Sequence, residues 1–136
     1  MTAIVVDTSA IIAILRNEPE KDRFVDALLA ANPRFMSAVS LQEAAMVIAG
    51  RLGDDAAWEP LDALLNRLDI EIVAHDAVLA TEARKAFLRF GKGRHPASLN
   101  FGDCAAYALA RANQLPLLFK GDDFEQTDIV AAVPAS

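Results

Sequence analysis

The chain has 136 residues, 54% of them hydrophobic, with a mean hydropathy of +0.24 and 19 acidic against 13 basic side chains, for a formal charge of −6. That length fits one domain burying about two-thirds of its unfolded surface; the composition excludes a disordered chain, and no apolar run reaches the ~18 residues a membrane span needs. The negative charge argues against a protein that coats nucleic acid electrostatically, and a single cysteine, Cys104, excludes an intramolecular disulfide and a cysteine-based metal cage.

Thr2 to Ser9, TAIVVDTS, is apolar and β-branched and predicts a short buried strand ending at Asp7. Asp7 interrupts the apolar stretch and no basic segment precedes it as in a signal peptide, so the expectation is a cytoplasmic protein without membrane contact. SAIIAILRNEP has apolar residues at helical spacing and predicts a helix N-capped by Ser9 that stops near Asn17 to Pro19. EKDRFVDALLAANP predicts a second helix closed by Asn32 and Pro33, RFMSAVS a second strand, and LQEAAMVIAGRLG a helix terminated at Gly53. DDAAWEPLDALLNRLD predicts a further helix, with Asp54 or Asp55 near its cap and Pro60 at a bend or restart. IEIVAHD reads as a third strand, AVLATEARKAFLRFGKG as a helix, and GKGRHPASLN as a loop rich in Gly, Pro and Ser. FGDCAAYALARANQ predicts the next helix, LPLLF a fourth buried strand, and KGDDFEQTDIVAAVP closes the chain with one last short strand.

Strands separated by helices imply parallel strands joined by right-handed crossovers. The expected class is therefore α/β: a single domain over residues 1–136 with a central, mainly parallel sheet of four to five strands and helices on both faces. Ligands of such sheets bind beyond the carboxyl ends of the strands. Acids stand at those ends: Asp7 after the first strand, Glu43 one turn into the helix after the second, Asp103 at the start of the helix before the fourth, Asp122 and Asp123 just past the fourth. Gathered carboxylates repel unless a cation neutralises them, and an oxygen-only set without suitably placed His or Cys points to Mg²⁺ or Mn²⁺. Such an ion binds a phosphodiester oxygen and activates water for in-line attack, so the expected chemistry is phosphodiester hydrolysis.

Each acid taken singly has a second reading. Asp7 with Thr8 and Ser9 makes a capping cluster, Glu43 a solvated helix face, Asp103 a partner of the helix dipole, and Asp122 or Asp123 a turn former after Gly121. Arg84 to His95, RKAFLRFGKGRH, contains no acidic residue. It is read either as a solvated face with a mobile loop, or as a basic lobe in which Arg84, Lys85, Arg89, Lys92 and Arg94 contact RNA phosphates. His75 and His95 are read as surface or structural residues. The apolar helices from Ala10 to Leu29 and from Ala44 to Leu65 carry more hydrophobic surface than one small sheet covers, which marks a partner interface.

In combination IVVDTSAIIAIL, SAVSLQEAAMVI, LNFGDCAAYALA and LPLLFKGDDFEQTDI, spanning Ile4 to about Ile129, resemble the PIN-domain ribonucleases, specifically VapC toxins of VapBC toxin–antitoxin systems. The resemblance implies a PIN-like three-layer α/β/α sandwich and a metal-dependent endoribonuclease leaving a 5′-phosphate and a 3′-hydroxyl. It also implies a homodimer and a VapB-type antitoxin whose C-terminal segment fills the cleft, with an antitoxin Arg paired to the acids. Asp7, Glu43 and Asp103 match the family's acidic ligands. Thr8 or Ser9 matches the hydroxyl beside the first aspartate, and Asn100 the polar residue ahead of the central one. The fourth acid is Asp123 or Asp122, with Asp123 favoured because it immediately precedes Phe124. A receiver domain would need paired acids at the first strand and a haloacid-dehalogenase-like phosphatase a second acid where Ser9 stands, so both fit worse. A non-catalytic RNA-binding module of the same fold is the alternative that keeps the acids without using them.

Overall fold

A β-branched triplet with no side chain that seeks water forms β1 (Ile4–Val6), and all three residues are buried. β1 is paired in parallel on one side with β2 (Arg34–Ser37) and on the other with β4 (Leu117–Leu118); β2 in turn pairs in parallel with β3 (Ile70–Val73). The sheet order is β3-β2-β1-β4. The computed structural model describes residues 1–50 and 55–134. The predicted last strand is reduced to an isolated bridge from Ala131 to Leu117.

Helices α1 (Thr8–Leu15) and α2 (Lys21–Leu29) connect β1 to β2; α3 (Ala38–Ala49), a 3-10 turn (Asp55–Trp58) and α4 (Glu59–Arg67) connect β2 to β3. α5 (Ala77–Phe90) and α6 (Phe101–Ala112) then carry the chain from β3 back past β1 to β4. Side-chain alternation in the strands sorts these helices into two layers. Ile4, Val6, Met36 and Leu118 face a core built with α1, α2, α3 and α4, whereas Val5, Leu117 and Phe119 face one built with α5 and α6. The connections step in opposite directions across the sheet on opposite faces, as a single crossover hand requires. The three-layer α/β/α expectation is met. Among the described residues no helix is long and apolar enough to cross a membrane.

Several predicted boundaries move for local reasons. Asp7, not Ser9, is the N-cap of α1: its backbone is extended and its carboxylate accepts the Ser9 N–H, so Ser9 already lies in the first turn. The strand read over RFMSAVS stops at Ser37, whose hydroxyl accepts the Val39 N–H and starts α3 early. α3 ends at Ala49 with Gly50 as its cap, and the predicted terminator Gly53 and the cap candidate Asp54 lie outside the described residues. Pro60 sits in the first turn of α4, where its missing N–H costs no helical bond, so it marks a restart. The apolar surplus is also redistributed. Ala10 to Ile14 are buried, while the exposed apolar side chains include Met46 and Val47 of α3, Val78 and Leu88 of α5 and Phe101 of α6.

Candidate active site

β1 and β4 are the pair at which the strand order reverses, so the crevice beyond their carboxyl ends is the topological switch point of the sheet. Asp7 stands there. Its Oδ2 accepts the Ser9 N–H at 3.0 Å and the Ser9 hydroxyl at 2.6 Å, while Oδ1 is buried with no protein partner. The residue is only 4% exposed. Burial pushes its carboxyl up to about 7; the Ser9 donors pull it down, and the charges of Asp103 and Glu43 push it up further.

Asp103 is fixed by the start of α6. Asn100 caps the helix by accepting the Asp103 N–H at 2.9 Å, and Asp103 Oδ2 accepts the Asn100 N–H at 3.1 Å, a reciprocal capping box. The expected orienting role of Asn100 thus has a definite geometry, and Asp103 Oδ1 stays free of it. Burial raises the Asp103 carboxyl to about 6, opposed by the Asn100 N–H and assisted by the charges of Asp123 and Glu43. Glu43 is half-buried on α3 and its carboxylate rests directly over Gly102. A Cβ at Gly102 would lie 2.7 Å from both carboxylate oxygens, so only glycine leaves the space Glu43 occupies.

The couplings put Asp103 near Asp7, Glu43 and Asp123, and Asp7 near Glu43, four acids from four separate segments of the chain. Asp122 is turned elsewhere, lining a different cleft with Glu20, Arg23 and Lys120. Thr8 is buried and donates to the Ser40 carbonyl at 2.9 Å, tying α1 to α3, so its hydroxyl is committed away from Asp7. Ser9 is the hydroxyl beside the first aspartate. It also accepts the Lys120 N–H at 3.0 Å, which anchors the segment leading from β4 to Asp123. The Lys120 ammonium is held in turn by Glu18 at 3.1 Å and Glu20 at 3.3 Å.

The donor set is all oxygen, mutually repelling and includes an orphaned buried Oδ1, which fits a hard divalent cation. Among the described residues no three His, Cys, Asp or Glu side chains are gathered closely enough to enclose an ion by themselves. Cys104 takes no part: burial, with Asp103 nearby, pushes its thiol up to about 11 and leaves it neutral.

The side chains of the basic segment are divided among separate contacts. Lys85 pairs with Glu82 at 3.3 Å, and Arg89 is drawn 3.6 Å from Asp128, which Arg111 and Tyr107 also engage. Arg84 and Lys92 are exposed, and the Arg94 guanidinium lies 5.9 Å from the Phe87 ring centre. His95 accepts the Ala97 N–H through Nδ1 at 3.0 Å, a structural role. Residues missed by sequence reasoning are Gly102, Lys120 and Phe101. Gly102 carries a signal, because glycine in the first turn of an otherwise alanine-rich helix is a poorer helix former than alanine.

Comparison with known proteins identifies the family and the fold. Residues 4–130 match the PIN domain family model. The chain is 48% identical over 126 residues to ribonuclease VapC30 of Mycobacterium tuberculosis, covering 93% of this chain and 95% of that protein. It is 47% identical over 128 residues to ribonuclease VapC of Mycolicibacterium smegmatis, covering 94% and 98%. Among solved structures, VapBC2 from Rickettsia felis bound to a promoter DNA fragment superimposes with a TM-score of 0.75 at 14% identity, covering 96% of each chain. VapC20 of Mycobacterium tuberculosis, a sarcin-ricin loop cleaving toxin, gives 0.71 at 20% identity over 93% of this chain and 96% of that one. With a family model matched along nearly its whole length and relatives almost half identical to it, the chain belongs to the PIN-domain family, among the VapC ribonucleases.

Proposed function

We propose that this protein is a Mg²⁺- or Mn²⁺-dependent endoribonuclease that hydrolyses RNA phosphodiester bonds and is restrained by a VapB-type antitoxin. The observation that carries the reading is the convergence of Asp7, Glu43, Asp103 and Asp123 at the switch point, with Asp7 Oδ1 buried and unpaired. Asp7 and Asp103 would hold the ion directly, and Glu43 and Asp123 directly or through water. The chemistry such an ion supplies is charge neutralisation and Lewis-acid polarisation of a phosphodiester oxygen. The protein's own part is positional. Ser9 and Asn100 each occupy one carboxylate oxygen of their aspartate and leave the other free. Gly102 lets Glu43 approach, and the Ser9–Lys120 bond sets the segment bearing Asp123. Water attack with rupture of the bond to the 3′ oxygen leaves a 5′-phosphate and a 3′-hydroxyl.

The antitoxin reading is supported by identity to VapC ribonucleases and by an apolar cleft of about 540 Å³ beside the acids, lined by Val39, Glu43, Met46, Val47 and Phe101. An antitoxin segment filling it would bring an Arg within reach of Glu43 and Asp7. A second copy of the chain is proposed to cover exposed Val78 and Leu88 of α5, giving a homodimer. The proposed setting is the reducing cytoplasm, where the lone Cys104 stays a thiol.

The test is cleavage of a mixed cellular RNA pool by purified, antitoxin-free protein in Mg²⁺, Mn²⁺ and EDTA, with Asp103→Asn alongside. Cutting that requires the metal and is lost in the variant is the expected result. RNA binding without metal-dependent cutting would instead identify a non-catalytic module.

A further inference from the structure

Phe101 is 74% exposed at the first position of α6, two residues before Asp103 and beside Gly102. An aromatic ring exposed beside the acid cluster offers a face for stacking. Two clefts meet at this ring. The one on the α3 side contains Glu43, and the one on the α5 side, about 350 Å³, contains no carboxylate and is lined by His75, Arg84, Phe87, Phe101 and Cys104 among others.

We propose that the α5-side cleft is a nucleobase slot in which an unpaired base of the RNA stacks on Phe101 while its neighbouring phosphodiester lies at Asp103; this rests on the ribonuclease reading above. Three observations favour a nucleotide over a protein side chain. The rim is cationic: Arg84 lines the slot, and Arg94 lies over the Phe87 ring that forms part of its wall. An anionic backbone is therefore attracted on this side and repelled by Glu43 on the other. His75 meets Phe101 edge to face, with ring centres 6.5 Å apart, which supports the ring. Single-stranded loops are read in this way, by stacking splayed bases on aromatic or guanidinium planes and pairing their edges. The volume lies at the small end of ligand sites, enough for one nucleotide and too little for a helix.

The slot is tested with the full chain as wild type, Phe101→Ala, Phe101→Leu and Phe101→Trp, on RNA hairpins carrying 2-aminopurine at single loop positions. Stacking is read as fluorescence quenching in EDTA, and cleavage as kcat and KM in Mg²⁺. The expected result is quenching by wild type and Phe101→Trp at one loop position. Phe101→Ala and Phe101→Leu should lose it and raise KM about tenfold or more, with kcat nearly unchanged. Leucine keeps the apolar contact without the ring, so the test survives if alanine fails to fold. Unchanged quenching and KM in the leucine variant would overturn the slot while leaving the ribonuclease intact. A change of oligomeric mass in the Phe101 variants would also overturn it, assigning the ring to a contact between copies. Absence of metal-dependent cleavage by the wild type would remove the ribonuclease reading and the slot with it.

Discussion

Asp7 holds a carboxylate where water reaches almost none of it, and its two oxygens have different surroundings: Oδ2 takes both Ser9 donors and Oδ1 takes none. An isolated buried anion of this kind costs several kcal/mol unless it is protonated or joined by a cation. Asp7→Asn keeps an acceptor for the Ser9 N–H and removes the charge. It should fold, resist metal-free heating at pH 8 better than the wild type, and lose cleavage by about 100-fold or more, because loss of an outer-shell partner alone costs 10–100-fold. Melting curves and single-turnover cleavage on the same preparation check both halves. Gly102 separates position from charge. In Gly102→Ala the new methyl would stand 2.7 Å from both Glu43 oxygens, and the flexible Glu43 side chain would yield before the backbone does. Alanine is also the better helix former. The expected outcome is an unchanged or raised melting temperature with cleavage about tenfold lower, a rise of about 1.4 kcal/mol in the barrier. Equal activity of the alanine variant would show that the Glu43 position does not matter.

Helix starts and strand ends, more than any single side chain, assemble the centre. α1 begins at Asp7 and α6 carries Asp103 in its first turn, so two of the acids double as capping or first-turn residues stabilised by helix N-termini. The capping reading is met at one carboxylate oxygen of each residue, and the proposed ligand role falls to the other. Ser9 is the link between elements: its hydroxyl donates to Asp7 and accepts from Lys120 beyond β4. Ser9→Ala removes both bonds, leaves the Lys120 N–H without that acceptor, and should cost about 1–2 kcal/mol in urea unfolding. It should also shift the acid limb of activity to higher pH, since a donor that lowers the Asp7 pKa is gone. Element order was legible because apolar runs, Gly and Pro punctuate this chain clearly, and the acids were legible because they sit at those punctuation points. Local pattern did not distinguish Asp122 from Asp123, because the turn after Gly121, at φ +105°, decides which of two adjacent carboxylates faces Asp103. Nor did it show that α1 is buried on nearly every side: IIAI has the composition of an amphipathic face, and only the packing of α2 and α3 against it removes the exposed face. The Glu43–Gly102 contact joins residues far apart in the chain and leaves no trace in the spacing of either.

Across the whole molecule the acids at the switch point tie stability to pH, and the proposed metal ion would act against that dependence. In the unfolded chain Asp7 ionises near 3.8, whereas in the fold it holds its proton up to about 7, and Asp103 up to about 6. Between those values the folded protein binds more protons than the unfolded chain, so stability falls as pH rises through the window and levels off above pH 7. At about 1.4 kcal/mol per pKa unit the Asp7 shift alone corresponds to a loss on the order of 4 kcal/mol, or roughly 15 °C in melting temperature for a domain of this size. Glu20 and Asp128 act with the opposite sign but at lower pH. Glu20 is held down by its own backbone N–H and by Lys120; at Asp128 burial is outweighed by Tyr107, Arg89 and Arg111. Both are ionised in fold and coil alike above pH 5, so a comparison of pH 5 with pH 8 isolates the central acids. In EDTA the wild type should melt lower at pH 8 than at pH 5, and Asp7→Asn should flatten the difference. Millimolar Mg²⁺ or Mn²⁺ should restore the wild type at pH 8 and do little at pH 5, because the ligands must lose their protons to bind. A metal-free melting temperature that rises from pH 5 to pH 8 would mean that Asp7 is ionised in the fold without a cation, and the buried Oδ1 would then need a partner other than a metal ion.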